Sequence, residues 1–217
     1  MTLTSLTPET STSVDQPVPA QEPSEPQSRT LLVQPVLEKL FELYPHLFGA
    51  EFLPLKLGTF QDLLALHPEV FTRETLKLAL SQHTRSARYL QSVVSGQPRH
   101  DLQGAVVEPV SPEHVYLALL ELFRRRQRRA RQDLRASLYP QLIAAFKASG
   151  LTRQAYGALV QTHNVDANAL LDEAFAGYDQ QLAKQEALRR AFDASGKTPA
   201  EFAEMYGLSE ASVRSVL

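Results

Sequence analysis

The densest chemistry in this sequence is cationic. Arg124, Arg125, Arg126, Arg128, Arg129 and Arg131 fall in one short run with no acid among them, and six like charges so close repel one another unless something offsets them. Earlier in the chain Arg73 and Lys77 stand four residues apart. On a helix they share a face turned away from Leu76, Ala79 and Leu80. Clusters of this kind suit polyphosphate, which is held by lysine and arginine through displacement of counterions. Groups for covalent or metal chemistry are missing from the pattern. The six histidines are scattered without His-x-x-x-His or His/carboxylate spacing, and there is no cysteine, so neither a metal nor a cofactor is expected. Nor does the chain carry a glycine-rich phosphate loop or a Gly-x-Ser-x-Gly elbow. The expectation is a binding protein and not an enzyme.

The elements that hold these cations must come from 217 residues of which 43% are hydrophobic, enough for at least one sizeable core. The absence of cysteine fits a reducing compartment, and a cytoplasmic location is expected. No run of eighteen apolar residues occurs, and the first thirty residues lack the basic and apolar blocks of a signal peptide, so no membrane association is expected. The net charge of −2 is an average over unlike regions: acids gather near the N-terminus and in the last third, away from the arginine run. Residues 1–29 are rich in Thr, Ser, Pro, Gln and Glu, a composition that predicts a disordered tail.

From Thr30 the pattern turns helical. Val36, Leu37, Leu40, Phe41 and Tyr44 recur at i, i+1, i+4, i+5 and i+8, with Pro35 placed in a first turn and Tyr44-Pro45 as the stop. Phe52 to Gly58 reads as extended, and Thr59 to His67 as a short amphipathic helix. Thr72 is the expected N-cap of the next helix, with Phe71 and Leu76 at hydrophobic-staple spacing. Arg99–Leu102 and Ala105–Val107 predict a small hairpin turning at Gln103-Gly104. Ser111-Pro112-Glu113 then opens a helix with Val115, Leu119, Leu122 and Phe123 on its apolar side. That helix is expected to run out of the domain into the arginines, with residues 124–136 as a helical linker.

The last eighty residues hold an internal repeat. Ala-Phe-Lys-Ala-Ser-Gly ending at Gly150 returns as Ala-Phe-Asp-Ala-Ser-Gly ending at Gly196, and Thr152, Tyr156 and Leu159 answer to Thr198, Phe202 and Met205. With three residues skipped in the second copy, Val165 pairs with Leu208 and Leu170 with Val213. Each copy, at about 145–171 and 191–217, predicts a glycine-stopped helix, a second helix, a tight turn and a third helix. The third helix of the first copy is expected to continue into the second. Ala203, Gly207 and Val213 follow the spacing of a helix-turn-helix.

Between Leu31 and Leu122 the sequence carries, in order, Tyr44-Pro45-His46 with Phe48; Pro54-Leu55-Lys56-Leu57-Gly58; Phe60-Gln61-Asp62-Leu63; Leu76, Ala79, Leu80 and Thr84; Arg88-Tyr89-Leu90; Gly96, Arg99, Asp101-Leu102 and Gly104; and Glu113-His114-Val115. In this series it resembles the ProQ/FinO family of RNA-binding proteins and RNA chaperones. The resemblance implies a mainly α domain at about 30–123 with a small β-hairpin; the helical region of 137–217 that follows rests on the repeat. It implies binding of RNA hairpins with single-stranded 3′ tails, in small RNAs and messenger 3′ ends, and so post-transcriptional regulation. Lys56, Arg73, Lys77, Thr84, Arg88, Tyr89 and Arg99 are the RNA-binding positions it implies, with Tyr89 and Thr84 near the terminal nucleotide. Arg85, Arg124, Arg125 and Arg128 are expected to add accessory charge.

The sequence also differs from that pattern. Ser81 and His83 stand where arginine and an aromatic residue are expected, and Ala87 replaces a tryptophan. Between Thr30 and Phe123 there are seven Lys and Arg against ten Asp and Glu. The alternatives to RNA binding are a DNA-binding regulator using the C-terminal copies, and an adaptor that docks a protein partner there; DNA is disfavoured because Ser209 to Leu217 offers only Arg214 as a cation.

Overall fold

The computed structural model describes residues 26–215, with side chains from residue 32 onward. Most of the predicted tail, residues 1–25, lies outside them. Helix α1, Pro26–Leu43, starts inside the segment read as tail, so Pro35 sits mid-helix and not in a first turn. Pro35 is exposed, which leaves the hydrogen bond it forfeits on the solvent side. Phe41, expected on the inner stripe, is exposed, while Val33 and Leu40 are buried.

The fold is mainly helical with one two-stranded hairpin. After α2 (Pro45–Phe48), α3 (Thr59–Leu66), α4 (Arg73–Thr84) and α5 (Ala87–Val94) come β1 (Arg99–His100), β2 (Val106–Glu108) and α6 (Pro112–Gln127). Thr72 caps α4 as its sequence predicts, its side chain accepting from the Thr75 N–H at 3.3 Å, with Phe71 and Leu76 both buried in one core. The hairpin is antiparallel, with Arg99 opposite Glu108 and His100 opposite Val106, so Val107 is an extra residue in β2. Asp101 fixes the turn: its Oδ1 accepts from Gln103 N at 3.0 Å and Ala105 N at 2.9 Å. Gly104 adopts φ +82 there, with His46 Cδ2 only 2.9 Å from where a Cβ would stand, so both conformation and space require glycine. The extended segment joins this ribbon, His100 N donating to Pro54 O and Lys56 N to His100 O, each at 2.8 Å.

Helix α6 does not leave the domain as a solvated extension. Ala118 belongs to the first core with Val33, Leu40, Leu63 and Leu76, while Tyr116, Leu119 and Leu120 belong to a second core with Leu138, Leu142, Tyr156, Val160 and Leu171. The stripe expected from the sequence lacks Tyr116 and Leu120. With them the helix is apolar nearly all round, the signature of a buried element. It ends at Gln127, and residues 128–134 form turns before α7 (Arg135–Ser149). The arginine segment is thus a helix end followed by a turn and not a helical linker.

The repeat is plain in the helices that follow: α8 (Arg153–Val160), α9 (Val165–Ser195), α10 (Pro199–Tyr206) and α11 (Glu210–Arg214). Gly150 and Gly196 end α7 and α9 in the left-handed conformation, and Thr152 and Thr198 cap α8 and α10. Phe146 meets Tyr156 edge-on at 5.4 Å and Phe192 meets Phe202 edge-on at 5.3 Å. As expected, α9 serves both copies. The third helices begin after Asn164 and Ser209, which makes the second copy one residue shorter there and not three. Val165 therefore opens α9 whereas Leu208 lies in the turn before α11, and Val213 does not take Leu170's place.

Candidate nucleic-acid interface

Helix α4 presents the predicted cations outward. Leu76, Ala79, Leu80 and His83 take its inner side and are buried, while Arg73 and Lys77 are exposed. The Arg73 guanidinium stands 5.8 Å from the centre of the Phe60 ring. At the end of the helix Thr84 is half-buried and donates its hydroxyl to Leu80 O at 2.8 Å, which leaves its oxygen as an acceptor. Arg88, in the first turn of α5, is exposed, lies 4.4 Å over the Phe52 ring and donates to Ala50 O. Among the described residues Arg73, Lys77 and Arg88 have no ion pair with a carboxylate. Their charge is available to a polyanion.

Tyr89 and Arg99 stand elsewhere. Tyr89 shares the inner side of α5 with Val93 and is buried; its hydroxyl accepts from Leu55 N at 3.0 Å. Arg99, also buried, donates from Nη1 to Leu55 O at 2.8 Å, approaches His114 Nδ1 at 2.9 Å from Nη2 and lies 3.7 Å from Glu108 Oε1. Both backbone groups of Leu55 are therefore gripped, one by each residue. The next residue is Lys56, whose Nζ pairs with Asp62 Oδ2 at 2.7 Å. That hydrogen bond raises the lysine's pKa, so it stays charged. Tyr89 and Arg99 thus build the ground on which Lys56 stands, and burial raises the Tyr89 pKa above the ordinary phenol value.

His83 stands where the sequence departs from the family pattern, and the structure gives that departure a physical setting. It is buried, with ring centres 4.6 Å from Phe48, 4.4 Å from Phe52 and 5.3 Å from Tyr89. The position is aromatic in its surroundings, and the imidazole fills it as a ring. Burial first, and then the nearby Arg88 charge, push its pKa down to about 4, and its Nε2 has no partner. It sits behind Phe52, on which Arg88 rests.

The arginine run meets this surface at one point. Arg125 donates from Nε to Glu121 at 2.7 Å and from Nη1 to Arg85 O at 2.6 Å, tying the end of α6 to the corner between α4 and α5. Arg124 and Arg128 are exposed beside it and flank an open cleft with Glu121, Phe123 and Gln127. Cations at a helix C-terminus complement its partial negative charge, which offsets part of their mutual repulsion. Gln127 is committed to the turn, donating to Gln132 O and accepting from Leu134 N. Among the described residues no group of three or more His, Asp or Glu could hold a metal ion, and no helix is long and apolar enough to cross a membrane.

Residues 32–135 match the model of the ProQ/FINO family. The protein named RNA chaperone ProQ in Shewanella frigidimarina is 40% identical over 92 residues, covering 40% of this chain and 45% of that protein. The one in Aeromonas salmonicida is 41% identical over 85 residues, covering 37% and 40%. The chain thus spans less than half the length of these curated relatives. A solved structure described as a FinO-like RNA chaperone, from Neisseria meningitidis, is 29% identical over 41% of this chain and 92% of that one, with a TM-score of 0.38.

Proposed function

We propose, from the match of residues 32–135 to the ProQ/FINO family model, that this protein binds structured RNA, holding hairpin stems and their single-stranded 3′ tails, and acts on small RNAs and messenger 3′ ends in the cytoplasm. The observation that carries the reading is the set of exposed cations free of carboxylates, Arg73, Lys77 and Arg88, in a segment where acids outnumber bases. A-form duplexes hide their base edges in a deep, narrow groove, so a protein holds them by phosphate and 2′-hydroxyl. Cations set along α4 and the start of α5 suit one strand of such a stem. Arg85, with Arg124, Arg125 and Arg128 joined to it through the Arg125 hydrogen bond, adds charge at the edge of the same surface.

The remaining positions have distinct roles. Lys56 reaches phosphate by exchanging Asp62 for it, a small loss because water screens a pair this exposed. The Thr84 oxygen accepts from a ribose hydroxyl near the tail. Tyr89 and Arg99 act from the interior by fixing Leu55 and Lys56. The role is binding and not catalysis, with no cofactor. DNA is the less favoured partner: α11 is five residues long, and its one cation, Arg214, is paired with Glu210 at 2.6 Å.

Lys77→Ala tests the reading cleanly, since the side chain is exposed. Removing one phosphate-binding cation makes the dependence of log affinity on log salt shallower by about 0.7 to 0.9. A slope equal to that of the unaltered chain removes Lys77 from the interface.

A further inference from the structure

The two copies of the C-terminal repeat differ in one respect that their sequence similarity does not foretell. In the first copy α8 packs against α6, and Tyr116, Leu119 and Leu120 of α6 share a core with Tyr156 and Val160. Tyr116 also donates its hydroxyl to Ala167 O at 2.7 Å, seating the helix on the start of α9. In the second copy α10 packs on α9 and α11, around a core of Phe202, Ala203 and Val213 with Leu188, Ala191 and Phe192. Phe202 is as fully buried as Tyr156, yet Tyr206, which takes the place of Val160, is 54% exposed where Val160 is 1% exposed. Met205 and Leu208 beside it are also exposed; the counterpart of Met205, Leu159, is exposed in the first copy too, so the difference between the copies lies at Tyr206. Among the described residues the second copy therefore lacks what α6 supplies to the first.

We infer that the α10–α11 face, centred on Tyr206 with Met205 and Leu208, docks an amphipathic helix of another protein that carries large apolar residues at i, i+3 and i+4 and basic residues beside them. The apolar requirement follows from the first copy, where that set is Tyr116, Leu119 and Leu120. The basic requirement follows from charge: Glu204 is exposed on α10, which has no cation of its own, Glu201 on the same helix keeps its charge while it caps the helix through Thr198 with Lys197 nearby, and Arg214 of α11 is already paired with Glu210. The same acids disfavour a second copy of this chain as occupant, since face-to-face pairing would bring both sets of glutamates together. Helix-in-groove recognition of this kind reads apolar anchors one turn apart.

Helix α6 itself has the required pattern, apolar residues at the right spacing and arginines at its end, so a labelled peptide of residues 112–131 is the probe. Fluorescence anisotropy with the full chain should show saturable binding. Met205→Glu and Tyr206→Glu should each weaken it about tenfold or more, while Val165→Glu, on the 78% exposed first residue of α9, should leave it unchanged. Circular dichroism melts would confirm that the variants remain folded; Met205 is the safer site because Tyr206 stacks on Phe202 at 4.6 Å. Affinity for an RNA hairpin should be the same in all four proteins, which separates this inference from the RNA reading. No binding of the peptide, or binding by the Met205 and Tyr206 variants as tight as that of the unaltered chain, overturns it. So does a wild-type dimer in sedimentation that Met205→Glu converts to monomer, which would make the occupant a second copy.

Discussion

His83 should make the N-terminal domain acid-sensitive. In the unfolded chain its imidazole titrates near 6.5, whereas in the aromatic pocket of Phe48, Phe52 and Tyr89 the pKa falls to about 4. Above pH 6.5 the ring is neutral in both states and the pocket loses nothing. As the pH falls below 6.5 the unfolded chain takes up a proton that the folded protein refuses until about pH 4, so stability declines across that window. At 1.36 kcal/mol per pKa unit the full loss is about 3 kcal/mol. Urea unfolding at neutral pH and at about pH 4.5 measures it, but carboxylates also contribute to acid sensitivity. The comparison that isolates the histidine is His83→Phe, which keeps a ring, removes the proton and removes the unpartnered Nε2. The variant should be at least as stable as the parent at neutral pH, and should lose about 2 to 3 kcal/mol less on acidification. Identical pH dependence in the two proteins would refute the reasoning.

Tyr89→Phe leaves the buried Leu55 N–H without an acceptor and should lower stability by about 1 to 3 kcal/mol, read as a lower urea midpoint; an unchanged midpoint would contradict the interior role of that hydroxyl. Arg99→Met strips Leu55 O of its donor and should lower the midpoint similarly, and the double variant should lose less than the sum because both side chains hold the same residue; strict additivity would argue that they act independently. Tyr116 and Tyr156 are both fully buried, and burial pushes each phenol up to about 12. The unfolded chain ionises first, so stability should fall as the pH rises from about 10 toward 12. Absorbance titration should show a late-ionising fraction that shrinks in Tyr116→Phe, and an undiminished fraction would contradict the assignment.

What the sequence made legible was governed by local rules. Thr72, the Asp101–Gly104 turn and the Gly150 and Gly196 stops each act within a few residues, and each stands where its chemistry requires. The register of the repeat was legible as far as Phe202 for the same reason. What failed depended on neighbours distant in sequence. Helix α6 read as one-sided because its second apolar face finds its partners in α7, α8 and α9, well downstream. Helix α5 was not read at all; the inward aspect of Tyr89 follows from its sharing a side with Val93. The exposed cations of α4 were legible because i, i+4 spacing decides them; the burial of Arg99 was not, because it depends on Leu55 meeting the hairpin. Ala87 differs from the family pattern with no structural explanation, while exposed Arg85 supplies a cation one turn beyond Ser81.

Recognition of RNA by its stem and its 3′ end is the activity proposed for this chain. Electrophoretic mobility shift of the full chain, with a terminator-type RNA hairpin bearing a 3′ uridine tail and, in parallel, the same stem as blunt DNA, tests it most directly. Tight binding confined to the RNA, weakened by high salt and by loss of the tail, is the expected result. Equal or stronger binding to the DNA stem would contradict it and move the function to the C-terminal copies.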